Sequence, residues 1–194
     1  MKHNQGRDCD RCRMTPAARN RLRIRRLCEG AVIAALYFAL TWLSNIVGLA
    51  SGAIQVRISE ALCVLGFFTP AAIPGLWIGC MLANLTMSAA IWDVVFGSLA
   101  TLIGAVGAYL FGVAARRAAA DGHKKLTWVW KILIPLPTVV ANAVIVPLVL
   151  RYAYGIPDAM WFLVLTVGVG EIISAWVLGL VLLAPLERTR RIFD

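Results

Sequence analysis

The sequence predicts an all-α, polytopic membrane protein of six transmembrane helices with both termini cytoplasmic. Three observations predict it. Hydrophobic residues make up 60% of the 194 positions and charged residues only 15%, with a mean hydropathy of +0.78. Long apolar runs recur along the chain, which marks a helical membrane protein rather than a water-soluble domain. The positive charge, finally, is gathered in clusters that flank those runs.

The charge distribution also argues against a nucleic-acid partner, despite a net charge of +9. Nine of the 19 Lys and Arg residues lie in the first 26 positions. Arg116, Arg117, Lys124, Lys125 and Lys131 form a second cluster, and Arg188, Arg190 and Arg191 a third. Charges placed this way hold loops and termini on the cytoplasmic side. Their natural partner is an anionic lipid surface.

The elements follow in order. Residues 1–26 form a basic cytoplasmic tail, expected to be disordered. It does not resemble a cleavable signal, because the apolar run after it lacks a small-residue cleavage site. Its Cys9 and Cys12 form a lone C-x-x-C with only His3 nearby, too few ligands for a zinc site, so no metal is expected. Cys28, Cys63 and Cys80 read as small hydrophobes. The first span lies within 27–50. Residues 58–90 can be one long kinked helix or two short spans, and Pro70 and Pro74 in "TPAAIPG" favour a break. Two crossings put all three basic clusters on one side, so the positive-inside rule selects two. The second span is then near twelve residues, about 18 Å at helical rise, and needs shielding by neighbours. Spans four, five and six occupy 92–115, 126–150 and 158–186. Pro135, Pro137 and Pro147 should bend or interrupt the fifth. Residues 27–186 thus form the membrane domain, and 187–194 a basic cytoplasmic end.

With this topology the intramembrane polar residues gather toward the outer side. Asn45 lies late in the first span, Arg57 and Glu60 open the second, and Asn84 is late in the third. Asp93 opens the fourth, Asn142 is past the middle of the fifth, and Glu171 is deepest in the sixth. A pocket open outward and closed below accounts for this. Plainer accounts stay open for several members: Arg57 and Glu60 can pair at i,i+3, Asp93 can cap a helix, and Asn45 can face interfacial water. Glu171 has no such explanation, since a mid-span carboxylate is costly and marks function. The expected substrate-binding residues are Arg57, Glu60, Asn84, Asp93, Asn142 and Glu171. Three carboxylates against one cation suit a small, flat, cationic or donor-rich ligand. Tyr37, Trp42, Trp77, Trp92 and Trp161 can stack on a flat ring or simply pack.

The blocks "IQVRISEAL", "FFTPAAIPGLWIGCMLANL" and "DVVFGSLATLIGA" (starting at residues 54, 67 and 93), in that order, resemble the queuosine-precursor (QueT-type) substrate-binding subunits of energy-coupling-factor transporters. The resemblance covers roughly residues 27–186. It implies a six-helix S-component in the bacterial cytoplasmic membrane, working with a transmembrane coupling subunit and two ATPase subunits. It implies a 7-deazaguanine substrate, captured from outside and delivered by ATP-driven reorientation. It also implies docking of the coupling subunit on the small-residue stripe Ala31, Ala35 and Ala39, a stripe that permits close helix approach and that internal packing can equally explain. Closure over the ligand is expected from the loop around 50–57.

Other function classes fare less well. The chain has no G-x-x-x-x-G-K-[ST] loop, so it needs no cofactor of its own and ATP is used by its partners. The only histidines are His3 and His123, both outside the spans, which excludes histidine-based intramembrane enzymology. An ion-coupled secondary carrier with Glu171 as proton relay remains the alternative, weakened by the lack of an internal repeat.

Overall fold

The computed structural model describes residues 15–49, 56–87 and 91–189. Within them the chain is all-helical. Six helices succeed one another: α1 Pro16–Ile46, α2 Ile58–Phe67, α3 Ala72–Met87, α4 Asp93–Ala120, α5 Lys124–Tyr152 and α6 Met160–Arg188. Four of them, α1, α4, α5 and α6, are long and apolar enough to cross a membrane, and α2 and α3 are shorter apolar helices.

The break inside 58–90 is present. It is confined to residues 68–71, between Phe67 and Ala72. Pro70 stands in the turn, while Pro74 lies in the first turn of α3, where its missing N–H has no intrahelical partner to lose. The short helix α2 is wound as a 3₁₀ helix over ten residues. At a rise of about 2.0 Å per residue it reaches about 20 Å, short of a hydrocarbon core of about 30 Å. Shielding resolves the deficit: Ser59 through Phe67 are all buried, so α2 is the axis of the bundle rather than a lipid-facing span.

One expectation needs correction. The basic segment was expected to be disordered up to residue 26, yet α1 begins at Pro16. Thr15 is its N-cap, accepting the Ala18 N–H at 3.3 Å. Proline stands at the first helical position, where its fixed φ suits the helix. The arginines that follow are good helix formers, and Arg25 pairs with Glu29 one turn on, at 3.0 Å. The cysteines Cys9 and Cys12, with His3, lie outside the described residues, as do most of the proposed closing loop (50–55) and Arg190 and Arg191.

The prolines of α5 act as expected. Helix Lys124–Leu133 stops, and a second segment, Leu136–Tyr152, starts after Pro135 and carries Pro147 inside it. Close packing joins α1 to α3. A Cβ on Gly75 would come within 2.8 Å of the Gly30 carbonyl oxygen, and one on Gly79 within 2.8 Å of the Ala34 oxygen. The two helix backbones therefore approach more closely than any larger residue permits. Two apolar clusters meet on α2: Ile33, Leu62, Leu65 and Leu76 on the α1–α3 side, and Val64, Phe67, Ile134 and Leu183 on the α5–α6 side. Large apolar side chains such as Val32, Leu36, Ile103, Leu110, Val144 and Leu165 face outward, as they can where the surrounding solvent is lipid.

Candidate functional site

The polar residues are assembled by the N-terminal end of α2, the C-terminal half of α3, the first turns of α4 and the middle of α5 and α6. Arg57, Glu60, Gly97, Thr101, Asn142, Val146, Val167 and Glu171 line one small cavity, with room for about one water. Glu60 and Asn142 are each 3% exposed and Glu171 is 6% exposed.

All six polar residues singled out above lie in this region. Arg57, Glu60, Asn142 and Glu171 line the cavity itself. Asn84 stands behind Arg57, whose guanidinium donates to Asn84 Oδ1 at 3.5 Å, a weak contact. The Asn84 amide donates in turn to the Asp93 carbonyl at 3.2 Å. Asp93 is buried, and its carboxylate attracts the Arg57 guanidinium. Asn142 stands beside both Glu60 and Glu171 on the cavity wall. Glu171 Oε2 is buried with no hydrogen-bond partner among the described residues.

The i,i+3 pairing of Arg57 with Glu60 does not form. Glu60 accepts a hydrogen bond from the Tyr37 hydroxyl of α1 instead, while Arg57 turns to Asn84. Tyr37 is fully buried, so its partner is a carboxylate and its ring is not open for stacking. Below it the same face of α1 supplies two further bonds. The Thr41 and Ser59 hydroxyls share one of 2.8 Å, and the Ile58 N–H donates to Ser44 Oγ at 3.0 Å. Tyr37, Thr41 and Ser44 recur at i, i+4 and i+7, a spacing that puts them on one helix face. That signal was available in the sequence.

The tryptophans stand elsewhere. Trp42, Trp77, Trp92 and Trp161 are exposed on the outside of the bundle, and the apolar walls of the cavity are Val146 and Val167. Asn45 is exposed. Arg151 ties the loop after α5 together by donating to the carbonyls of Pro157 at 3.0 Å and Asp158 at 2.8 Å.

Local irregularity shapes the site. The first turn of α4, Asp93–Gly97, is π-helical, and a second π-helical stretch, Ile172–Leu178, starts directly after Glu171. Such wide turns inside α-helices recur at functional sites. Gly97 leaves room for these polar groups: a Cβ there would lie 2.8 Å from Asn84 Nδ2 and 3.2 Å from Asp93 Oδ1, so both side chains would have to shift.

A buried, polar, linked cluster inside an apolar helical bundle is what a solute-binding membrane protein needs. The family model described as QueT transporter matches residues 27–188. The chain belongs to the QueT transporter family. That family is one of transporters, not of enzymes, and its match takes in every residue of the site. The chain is also 40% identical over 73 residues to the queuosine precursor transporter QueT of Lactococcus lactis subsp. cremoris (strain MG1363). That match spans 38% of this chain and 43% of the relative, less than half of either. No solved structure matches.

Proposed function

We propose that this QueT-family chain is the substrate-capturing S-component of an energy-coupling-factor importer. It binds a queuosine precursor of the 7-deazaguanine type from the outer side of a bacterial cytoplasmic membrane, with both of its termini on the cytoplasmic side. A transmembrane coupling subunit and two ATPase subunits then reorient it, using ATP that this chain does not bind.

The observation that carries the reading is the convergence of polar side chains on this cavity, which is closed down to about one water and has to widen to admit a ring. Its acidic and amide groups, Glu60, Asn142 and Glu171, converge from three helices. Together they offer acceptors to the adjacent N–H donors of a guanine-like edge. Arg57, Asn84 and Asp93 form a linked shell that holds the cavity's cation in place. The name of the Lactococcus relative supports the substrate class. Docking is supported by the exposure of Ala31, Ala35 and Ala39 on the side of α1 away from its buried face. Small exposed side chains there let a partner helix approach closely.

Isothermal titration of the purified chain with 7-aminomethyl- and 7-cyano-7-deazaguanine tests the substrate. Saturable binding of at least one is expected; a well-folded protein that binds neither overturns the assignment. The unpartnered Glu171 Oε2 also favours a second reading, an ion-coupled carrier in which Glu171 relays a proton. Uptake that persists without the ATPases and collapses with the proton gradient would select that reading.

A further inference from the structure

We infer that Glu171 is the group that selects the charge of the substrate, and that Glu60, already held by Tyr37, mainly positions its ring. The inference rests on the deazaguanine reading above and goes further, to the substituent that the site prefers.

The three carboxylates of the site differ in what they are given. Asp93 has the attraction of the Arg57 guanidinium. Glu60 has the hydroxyl of Tyr37, which is held in place by a fully packed ring at the α1–α3 contact. Glu171 has Asn142 beside it and only a weaker pull from Arg57, and its Oε2 accepts no hydrogen bond among the described residues. A single guanidinium, Arg57, stands among these groups. With the carboxylates ionised, the layer therefore carries an excess of negative charge.

An ionised carboxylate in a medium of low dielectric is stabilised by an opposite charge far more than by a neutral donor. A neutral N–H can satisfy Glu171 Oε2 geometrically but leaves the charge uncompensated. A primary ammonium on the substrate does both, through a charge-assisted hydrogen bond. Glu60 has less to gain from the same ammonium, because the Tyr37 hydroxyl already occupies one of its oxygens and the Arg57 guanidinium lines the cavity with it. Its place is to present the other oxygen to the ring edge, with Asn142 beside it. The two glutamates thus divide the work: Glu60 positions the flat ring, and Glu171 reads the charged substituent.

The test compares two probes that share a ring system, 7-aminomethyl-7-deazaguanine, a cation, and 7-cyano-7-deazaguanine, a neutral molecule. Binding of both is measured by titration to the purified full chain in detergent. The wild type is expected to prefer the cation. Glu171→Gln is expected to weaken the cation by ~10- to 100-fold, the range of one charge-assisted bond, and the neutral probe by less than about threefold, so that the preference disappears. Glu171→Asp, which keeps the charge, is expected to keep the preference at lower affinity and serves if the glutamine variant fails to fold. Glu60→Gln is expected to weaken both probes by a similar factor. A wild-type preference that survives in Glu171→Gln, or one that is lost equally in Glu60→Gln, overturns the inference while leaving the deazaguanine reading intact. A wild type that binds neither probe overturns that reading, and the inference with it.

Discussion

The two halves of α2 are held by opposite kinds of force. The N-terminal half, Ile58–Glu60, is fastened by hydrogen bonds to α1, from Ser44, Thr41 and Tyr37. The C-terminal half, Val64–Phe67, is fastened by packing and by charge at its end. Arg116 donates to the Phe67 carbonyl, and its guanidinium lies 5.6 Å from the centre of the Phe67 ring. Lys131 stands 5.7 Å from the same ring and pairs with Glu187 of α6. Cations at a helix C-terminus complement its dipole and its free carbonyls. Hydrogen bonds can be exchanged for bonds to a ligand at little net cost, whereas close packing is lost outright when it is opened. The contrast assigns adaptability to the end that lines the cavity and rigidity to the other.

The packed end should fail hardest. A Cβ on Gly112 would sit 2.8 Å from the Phe67 Cα, against backbone that cannot yield like a flexible side chain. Gly112→Val is therefore expected to destabilise the fold by about 3 kcal/mol or more, at the top of the overpacking range. Thermal unfolding in detergent reads this directly. A melting temperature near that of the wild type would show that the C-terminal half of α2 is looser than its burial implies.

At the hydrogen-bonded end the expected loss is smaller and of a different kind. Tyr37→Phe keeps the ring and its packing but leaves a buried Glu60 oxygen without its donor. That should cost about 1–3 kcal/mol and lower ligand affinity, because Glu60 is no longer held in one rotamer. Combining the stability change with a titration separates the two effects. A variant of full stability and full affinity would mean that Glu60 does not depend on the tyrosine hydroxyl.

The sequence made some of this legible and hid the rest for physical reasons. The break near Pro70 and the clustering of Arg57, Glu60, Asn84, Asp93, Asn142 and Glu171 could be read from composition, proline positions and the positive-inside rule. These depend on position along the membrane normal. The partner of Glu60 could not, because it depends on how α1 is rotated about its axis toward α2. Sequence neighbours at i,i+3 pointed to Arg57, and tertiary packing delivered Tyr37. The 3₁₀ winding of α2 and the π-helical turns beside Asp93 and Glu171 were equally hidden. Neither follows from local propensity, which does not separate these windings from an ordinary α-helix. The helical start at Pro16 was hidden by its charge, which reads as a solvated tail until the cap at Thr15 is considered.

Glu171 is expected to invert the usual relation between a buried group and stability. A carboxylate with one unpartnered oxygen, in a layer already rich in negative charge, stabilises nothing by being there. Glu171→Gln should therefore leave the melting temperature unchanged or raise it slightly, by about 1 kcal/mol of stability, even as it weakens binding. A clear loss of stability in this variant would place Glu171 with the structural half of the molecule and remove it from the ligand-exchangeable one.

The smallest effect is expected at the Lys131–Glu187 pair. Its side chains are 16% and 35% exposed, so water and salt screen part of the attraction, and pairs of this kind contribute about 1 kcal/mol or less. Lys131→Met keeps much of the apolar stem and its contact with Phe67 while removing the charge. It is expected to lower stability by less than about 1 kcal/mol and to leave titrated affinity unchanged, because nothing on the cavity wall is touched. Repeating the melt at low and high salt gives the sharper readout. If the wild type loses its advantage over Lys131→Met as salt rises, the ion pair is the operative contact. If the advantage is salt-independent, the short-range contact of the lysine ammonium with the Phe67 ring, rather than the exposed ion pair, is what Lys131 adds to that end of α2.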